Sequence, residues 1–216
     1  MRLTWGLVAV LVMGTATPSL ALEGPETSVG IRVGLGSFTS YGGFGPTTEI
    51  KDPMVLGVTA GIRRGPLGIE ISAEKTKLDM VTDIKEATVT MIPILFTPQI
   101  HWEKADAPIS EILAAPLDNY IGAGVGYYIN SAKAGSEAQE ASGFTDYKVT
   151  AKNSVGLHLA VGTNIKVSSA VAIALDARYF FADADLTVKG GGISNTHPTG
   201  LIGFVLTAGL KYIFPK

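Results

Sequence analysis

The sequence predicts an all-β protein, an eight-stranded antiparallel up-and-down transmembrane β-barrel with short periplasmic turns and longer extracellular loops. Only 17% of the residues are charged, and the mean hydropathy is positive. After the N-terminal segment, no run of about 18 apolar residues is long enough for a spanning helix. Apolar and polar residues instead alternate with a period of two, and a closed barrel is then the fold that satisfies the backbone inside lipid.

The N-terminal 21 residues are predicted to be a cleaved export signal. Met1 and Arg2 precede an apolar run from Leu3 to Met13, and Ser19-Leu20-Ala21 supplies small residues at the cleavage positions. The run is too short for a membrane anchor, which needs about 20 residues. We therefore expect a signal peptide over 1–21 and an outer-membrane β-barrel domain over 22–216.

The overall charge and the absence of cysteine exclude several classes of function. Lys and Arg number 17 against 19 Asp and Glu, the formal net charge is -2, and there is no Cys. The charges are spread without a basic block, so no nucleic acid partner is expected. Disulfides and thiolate metal sites are excluded, and no metal or other cofactor is expected.

Eight segments carry the alternation and most of them reach the roughly 9 to 11 residues that a tilted strand needs to cross a bilayer. The connections at 65–67 and 168–169 are short, whereas those after the first, third, fifth and seventh segments are longer and polar. The link over 103–118 breaks this rule, and Pro108 at its centre suggests a short helix that caps the barrel or lies on the membrane. The predicted strands are 28–38, 54–64, 68–77, 88–102, 119–130, 154–167, 170–183 and 201–214.

The alternation defines an apolar row that faces lipid and a second row that faces the lumen, because successive side chains point to opposite faces. Aromatic residues of the outward rows collect at two heights, as the girdles of a membrane barrel do. A soluble barrel would also alternate, but it would place its apolar row inside. The predicted girdles are Trp102, Tyr212 and Phe214 at the periplasmic side, and Tyr127, Tyr179, Phe181 and Phe204 at the extracellular side.

The inward rows carry charges of both signs. Charges inside a narrow barrel are costly unless they are paired, so opposite signs should meet across the lumen. Two interpretations stay open, a structural ion-pair network that plugs the barrel and a gated polar path. The charged residues are Arg32, Arg63, Lys166, Arg178 and Lys211 against Glu70, Glu74 and Asp176.

The fourth predicted strand differs from the others because its inward row is largely apolar. Met91, Pro93 and Leu95 would suit a pocket for a hydrophobic guest better than a water-filled pore. Pro93 and Pro98 each remove a backbone donor from the sheet. They either weaken the wall enough for lateral exit or only shape the barrel.

A proline-containing segment runs from Thr88 to Trp102, and the next predicted strand begins Asn119-Tyr120-Ile121-Gly122-Ala123-Gly124-Val125-Gly126-Tyr127. This pair of segments resembles the OmpW family of small outer-membrane barrels. Residues 156–164, 176–179 and 209–214 are similar to the later strands of that family. The resemblance implies eight strands and the passage of small hydrophobic compounds across the outer membrane and sideways into it. Two departures are the Pro215-Lys216 tail after the terminal aromatic Phe214 and the long 103–118 link.

The sequence therefore predicts a narrow outer-membrane channel for passive uptake of small hydrophobic molecules. The alternatives are a closed structural or adhesion barrel whose loops bind a partner, and a barrel hydrolase such as a lipid A deacylase. His101, His158 and His197 form no His-x-Ser arrangement, so no catalytic residue and no enzyme activity is expected. The expected partners are outer-membrane lipid, the barrel-assembly machinery during insertion, and a small hydrophobic solute.

Overall fold

The computed structural model describes residues 24–42, 49–50, 53–81, 86–104, 117–135, 140, 143 and 147–215. The predicted signal peptide and the centre of the 103–118 link lie outside these residues. Twelve strands occur in the described part of the chain, eight of them long. The long strands are β1 (Glu26–Gly42), β3 (Met54–Arg64), β4 (Leu67–Val81), β5 (Glu86–Lys104), β6 (Leu117–Ala134), β8 (Ser154–Lys166), β9 (Val171–Asp183) and β12 (Thr199–Ile213), and the short ones are β2 (Glu49–Ile50), β7 (Lys148–Ala151), β10 (Leu186–Gly190) and β11 (Ile193–His197).

The eight long strands close into a barrel. Each pairs antiparallel with its neighbours along the chain, and β1 pairs with β12. This confirms the predicted fold. The stagger between strands can be measured from His101 on β5. Passing from each residue to its register partner on the next strand, once round the barrel, returns to β5 at Met91, ten residues from His101. Such a stagger requires strands that are strongly tilted from the barrel axis, by about 40°.

The two ends of the barrel differ in their connections. At one end, here called the turn end, Gly65 adopts a φ of 58° between β3 and β4. At the same end Ser168 Oγ accepts a 3.0 Å hydrogen bond from the Val171 N–H between β8 and β9. At the opposite end, the loop end, β7, β10 and β11 form a separate three-stranded sheet. Apart from the longer connection between β5 and β6, the turn end has short connections and the loop end larger structures, as is typical of a barrel with a periplasmic and an extracellular side.

Most strands extend beyond their predicted bounds at the loop end. β1 continues to Gly42 and β6 to Ala134. The sequence alternation stops earlier because residues beyond the hydrocarbon meet water on the outer face as well, while the backbone pairing continues. The stretch from Gly190 to Asn195, predicted as loop, lies mostly in a β10–β11 hairpin, since Gly191 and Gly192 adopt the positive φ values of 57° and 80° that a tight hairpin turn requires.

The outer face of the barrel is apolar and its interior holds the polar groups. Ile31, Leu35 and Val155 are each about two-thirds exposed, while the inward-facing Glu70 and Arg178 are buried. This confirms the predicted orientation of the two rows and is the reverse of a soluble barrel. Within the described residues, no helix combines the length and apolarity needed to cross a membrane.

Candidate functional site

The centre of the lumen is filled by an ion network. Arg178, whose side chain is fully buried, donates from Nη2 to Glu70 Oε1 at 2.6 Å and from Nε to Asp176 Oδ1 at 2.7 Å. Its Nη1 lies 3.4 Å from Glu74 Oε1 and donates to Ser72 Oγ at 3.1 Å. One guanidinium therefore contacts three carboxylates from β4 and β9.

Two further cations complete the ion network. Arg32 Nη1 donates to Glu70 Oε1 at 3.2 Å, and its Nη2 donates to Glu74. Lys211 Nζ lies 3.4 Å from Glu70 Oε2. Three cations thus meet three carboxylates, and the phenol of Tyr120 donates to Asp176 Oδ2 at 2.5 Å. The opposite charges are compensated, which is the condition for burying them in a narrow lumen.

A second polar group of residues, the end cluster, lies nearer the turn end. Asp118 is central to it. His101 Nδ1 lies 3.0 Å from Asp118 Oδ1, Asn164 Nδ2 donates to Oδ2 at 3.0 Å, and Arg63 Nη1 lies 2.8 Å from Oδ2. Lys166 Nζ lies 3.6 Å from Glu103 and 3.7 Å from Glu26 at the rim of the end cluster.

The structure thus divides the charged residues predicted for the lumen between two levels. Six of the eight form the ion network, whereas Arg63 belongs to the end cluster and Lys166 lies at its rim. The polar cavity between the two levels has a volume of ≈ 20 Å³, about the space of one water molecule. The lumen is therefore nearly closed from its middle to the turn end.

The loop-end half of the lumen holds a different kind of interior, the apolar cluster. The residues predicted for a hydrophobic pocket lie here, since Met91 and Leu95 belong to the cluster and Pro93 is buried on the same inward row. The sequence predicts an apolar interior for this strand alone, but the structure adds side chains from most of the barrel. The apolar cluster contains Phe38, Val55, Leu78, Val89, Met91, Leu95, Tyr128, Phe180, Ala182, Ala184, Leu186, Leu201 and Val205.

The two prolines of β5 interrupt the sheet on opposite sides. The pairing of β4 with β5 stops after Ala73 and Ile94 and resumes at Thr76 and Met91, so the gap lies at Pro93. The pairing of β5 with β6 is interrupted at Thr97 and Pro98. Proline has no backbone N–H to donate, and residues an odd number apart direct their N–H groups to opposite neighbours. The gap at Pro93 borders the apolar cluster.

The predicted girdle residues all lie on the outer face. Tyr179 and Phe181 of β9 are in edge-to-face contact with ring centroids 4.8 Å apart, and Phe204 of β12 is the register partner of Tyr179. At the turn end the rings of Tyr212 and Phe214 are 5.2 Å apart. Tyr127 and Trp102 lie on other strands, at the loop end and the turn end respectively.

Sequence reasoning did not single out Asp118 or Tyr120 as lumen residues. The predicted strand begins at Asn119, one residue after Asp118, so Asp118 falls in the predicted 103–118 link. Tyr120 enters the sequence prediction only within the family motif, although its inward parity and its hydroxyl could have indicated a hydrogen bond to a buried carboxylate.

Among the described residues, no three His, Cys, Asp or Glu side chains are grouped to hold a metal ion.

The comparison with protein families decides the classification. Residues 45–214, most of the chain, match the model of the OmpW family. The chain belongs to the OmpW family. Together with the apolar outer face, this membership makes the protein an outer-membrane barrel, with the turn end on the periplasmic side and the loop end on the extracellular side. No curated protein matches the chain in sequence.

Several solved outer-membrane barrels are similar in fold. The solid-state NMR structure of AlkL in DMPC bilayers has a TM-score of 0.57 and 13% identity, covering 94% of this chain and 98% of AlkL. The crystal structure of Neisserial surface protein A has a TM-score of 0.53 and 17% identity, covering 89% and 100%. The NMR structure of E. coli outer membrane protein W has 19% identity and a TM-score of 0.47, covering 85% and 97%.

Proposed function

We propose that this OmpW-family barrel is a non-enzymatic channel that takes up small hydrophobic molecules at its extracellular end and releases them sideways into the outer membrane. The observation that carries the proposal is the change of the lumen from an apolar cluster to a closed ion network halfway along the barrel. An apolar guest is favoured in the first region and excluded from the second.

The energetics of the two regions support this direction of passage. Burying apolar surface against the apolar cluster stabilises a guest by roughly 25 cal/mol per Å². Passing straight through the barrel would instead require separating Arg178 from its carboxylates, and breaking a buried ion pair costs about 3–5 kcal/mol. The periplasmic half of the lumen adds a cavity of only ≈ 20 Å³. The wall of the barrel is then the remaining route.

One of the two gaps in the wall lies beside the apolar cluster. Pro93 leaves β4 and β5 unpaired between the Ala73–Ile94 and Thr76–Met91 pairs. Met91 and Leu95, two residues to either side of Pro93, are members of the apolar cluster. The apolar cluster at the extracellular end and the gap in the wall therefore lie next to each other. His101 and His158 are buried in the lumen, His101 beside Asp118 and His158 with Nε2 2.8 Å from Thr97 Oγ1, so neither imidazole faces a substrate at the surface.

A reversible cross-link across the gap tests the proposal. Ala73 and Ile94 are register partners at the edge of the gap, and the chain has no cysteine of its own, so Ala73→Cys with Ile94→Cys creates a single possible disulfide. Partners across two antiparallel strands meet the distance that a disulfide requires. We expect oxidation to slow entry of a hydrophobic dye into outer membranes at least fivefold, and reduction to restore it.

A matched pair elsewhere in the wall provides the control. Ala177 and Leu206 are register partners on β9 and β12, far from both prolines, and their cross-linked variant should admit the dye at the unmodified rate. Unchanged entry through the oxidised Ala73–Ile94 variant would contradict lateral release. If the unmodified protein admits no dye, or admits a sugar of similar size equally well, the proposed channel for hydrophobic molecules is contradicted. A structural or adhesion barrel is then favoured.

A further inference from the structure

The outer face of the barrel carries two shallow grooves of similar size. The first groove, with a volume of ≈ 620 Å³, runs across five adjacent strands from β12 to β5 and is lined by residues such as Val33, Val58 and Ala73. The second groove, of ≈ 670 Å³, lies over the wall from β1 through β12 and β9 to β6. Neighbouring strands lie about 4.8 Å apart, so the first groove extends for about 19 Å, which accommodates most of a fatty acyl chain.

Charge distinguishes the two grooves. Lys75 lines the first groove, and Lys77 follows it on the same outward row of β4, about 7 Å further along the strand. Both side chains are exposed. Arg32 also lines the first groove, but its guanidinium belongs to the ion network inside the barrel. No Lys or Arg is among the described residues that line the second groove.

Lys75 lies at the level of the extracellular girdle. Tyr127 of the girdle is the register partner of Ile94, and Ile94 is the partner of Ala73. Because the strands are tilted, height falls from β6 to β4 along this register, and the two residues from Ala73 to Lys75 regain it. A lysine on the lipid face is unfavourable unless its ammonium reaches the head-group layer, to which its long aliphatic stem can extend. The first groove therefore begins within the hydrocarbon and ends beneath two ammonium groups at the outer head-group layer.

We propose that the first groove is a binding site for a phosphorylated lipid of the outer leaflet, with an acyl chain along the groove and a phosphate held by Lys75 and Lys77. Lysine is a common ligand of phosphate groups, and hydrogen bonds between ionised partners are stronger than neutral ones. The apolar wall binds the chain and the two ammonium groups select a negatively charged head group. This site lies on the outside of the barrel and does not depend on the proposed channel function.

Native mass spectrometry of the detergent-solubilised barrel measures the binding. The probes are lipid A carrying two phosphates and the same lipid with its phosphates removed. We expect the unmodified barrel to retain one phosphorylated lipid, and the combination of Lys75→Gln with Lys77→Gln to weaken retention at least tenfold. Lys75→Arg with Lys77→Arg, which keeps both charges, should retain the lipid. Arg64→Gln removes an exposed cation at the periplasmic end of β3 and should have no effect.

A second pair of variants tests the acyl part without altering charge. Ala73→Phe fills the first groove, whereas Ala177→Phe fills the second, and only the former should weaken lipid retention. Folding of every variant is checked by its heat-dependent gel mobility. The proposal is overturned by equal retention of dephosphorylated lipid, by equal loss in Arg64→Gln, by unchanged retention in the two-lysine glutamine variant, or by equal loss in the two phenylalanine variants.

Discussion

At the scale of single residues, Arg178 is the most deeply buried cation of the ion network that fills the lumen. Its guanidinium contacts Glu70, Glu74 and Asp176, and its side chain has no exposed surface. Lys211 has the same sign of charge but a single carboxylate contact at 3.4 Å and a side chain that is 12% exposed. The two cations therefore allow a direct comparison of a central and a peripheral member of the ion network.

We expect Arg178→Met to lower the free energy of unfolding by about 3–5 kcal/mol, because it leaves buried carboxylates without their principal partner. Lys211→Met should lower it by roughly 1 kcal/mol, because its ion pair is partly exposed. Urea unfolding of the protein refolded in lipid vesicles measures both values. Similar losses for the two variants would show that the centre of the ion network contributes no more than its edge.

The sequence indicates which residues face the lumen but not which of them meet. Parity along each strand places Arg32, Glu70 and Arg178 inside correctly. Their contacts depend on the stagger between strands, which brings residues 38 to 141 positions apart into contact and has no local signature in the sequence. For the same reason Arg63 could not be separated from the ion network before the structure placed it beside Asp118.

At the scale of elements, β5 is the strand in which the wall and the lumen are both unusual. It contributes Met91 and Leu95 to the apolar cluster, and its prolines interrupt the pairing with β4 and with β6. The proline positions and the apolar inward row were visible in the sequence. That the two gaps lie on different edges follows from the parity of residues 93 and 98, whereas the presence of an apolar lining on several other strands was underestimated.

Pro93→Ala restores a backbone donor opposite β4 and should close the gap beside the apolar cluster. We expect entry of a hydrophobic dye to slow severalfold, with the free energy of unfolding raised by about 1 kcal/mol for one added hydrogen bond. Pro98→Ala provides the comparison, because it adds a donor toward β6, away from that gap. A gain in stability without an effect on dye entry is expected there. Equal slowing in both variants would argue against an exit at Pro93.

At the scale of the whole molecule, the barrel is fixed in the membrane by its outer face. The apolar rows define a band, and we predict that its periplasmic edge includes Trp102, Tyr212 and Phe214. The family membership and the fold were accessible from the sequence because alternation, strand length and turn position all agree. The small sheet of β7, β10 and β11 could not be predicted from the sequence, since its short strands outside the membrane lack the lipid-facing apolar row that identified the long strands.

The depth of Trp102 tests this placement. Trp5 is the other tryptophan of the chain, so a protein lacking residues 1–21 has Trp102 as its single tryptophan. In lipid vesicles, its fluorescence should be quenched more strongly by a label near the head group than by one at the end of the acyl chain, because girdle side chains lie at the membrane interface. Stronger quenching by the label at the end of the acyl chain would show that the predicted position of the periplasmic girdle is wrong.

The spacing of the two prolines has a consequence for how the barrel tolerates change. Pro98 follows Pro93 by five positions, so each edge of β5 loses a donor at one point and is secured by its remaining pairs. If the spacing were four or six positions, both missing donors would face the same neighbouring strand, and one edge of β5 would have two gaps while the other had none. An insertion or deletion of one residue between the prolines would therefore place both gaps on the same edge of β5 and leave the other edge fully paired.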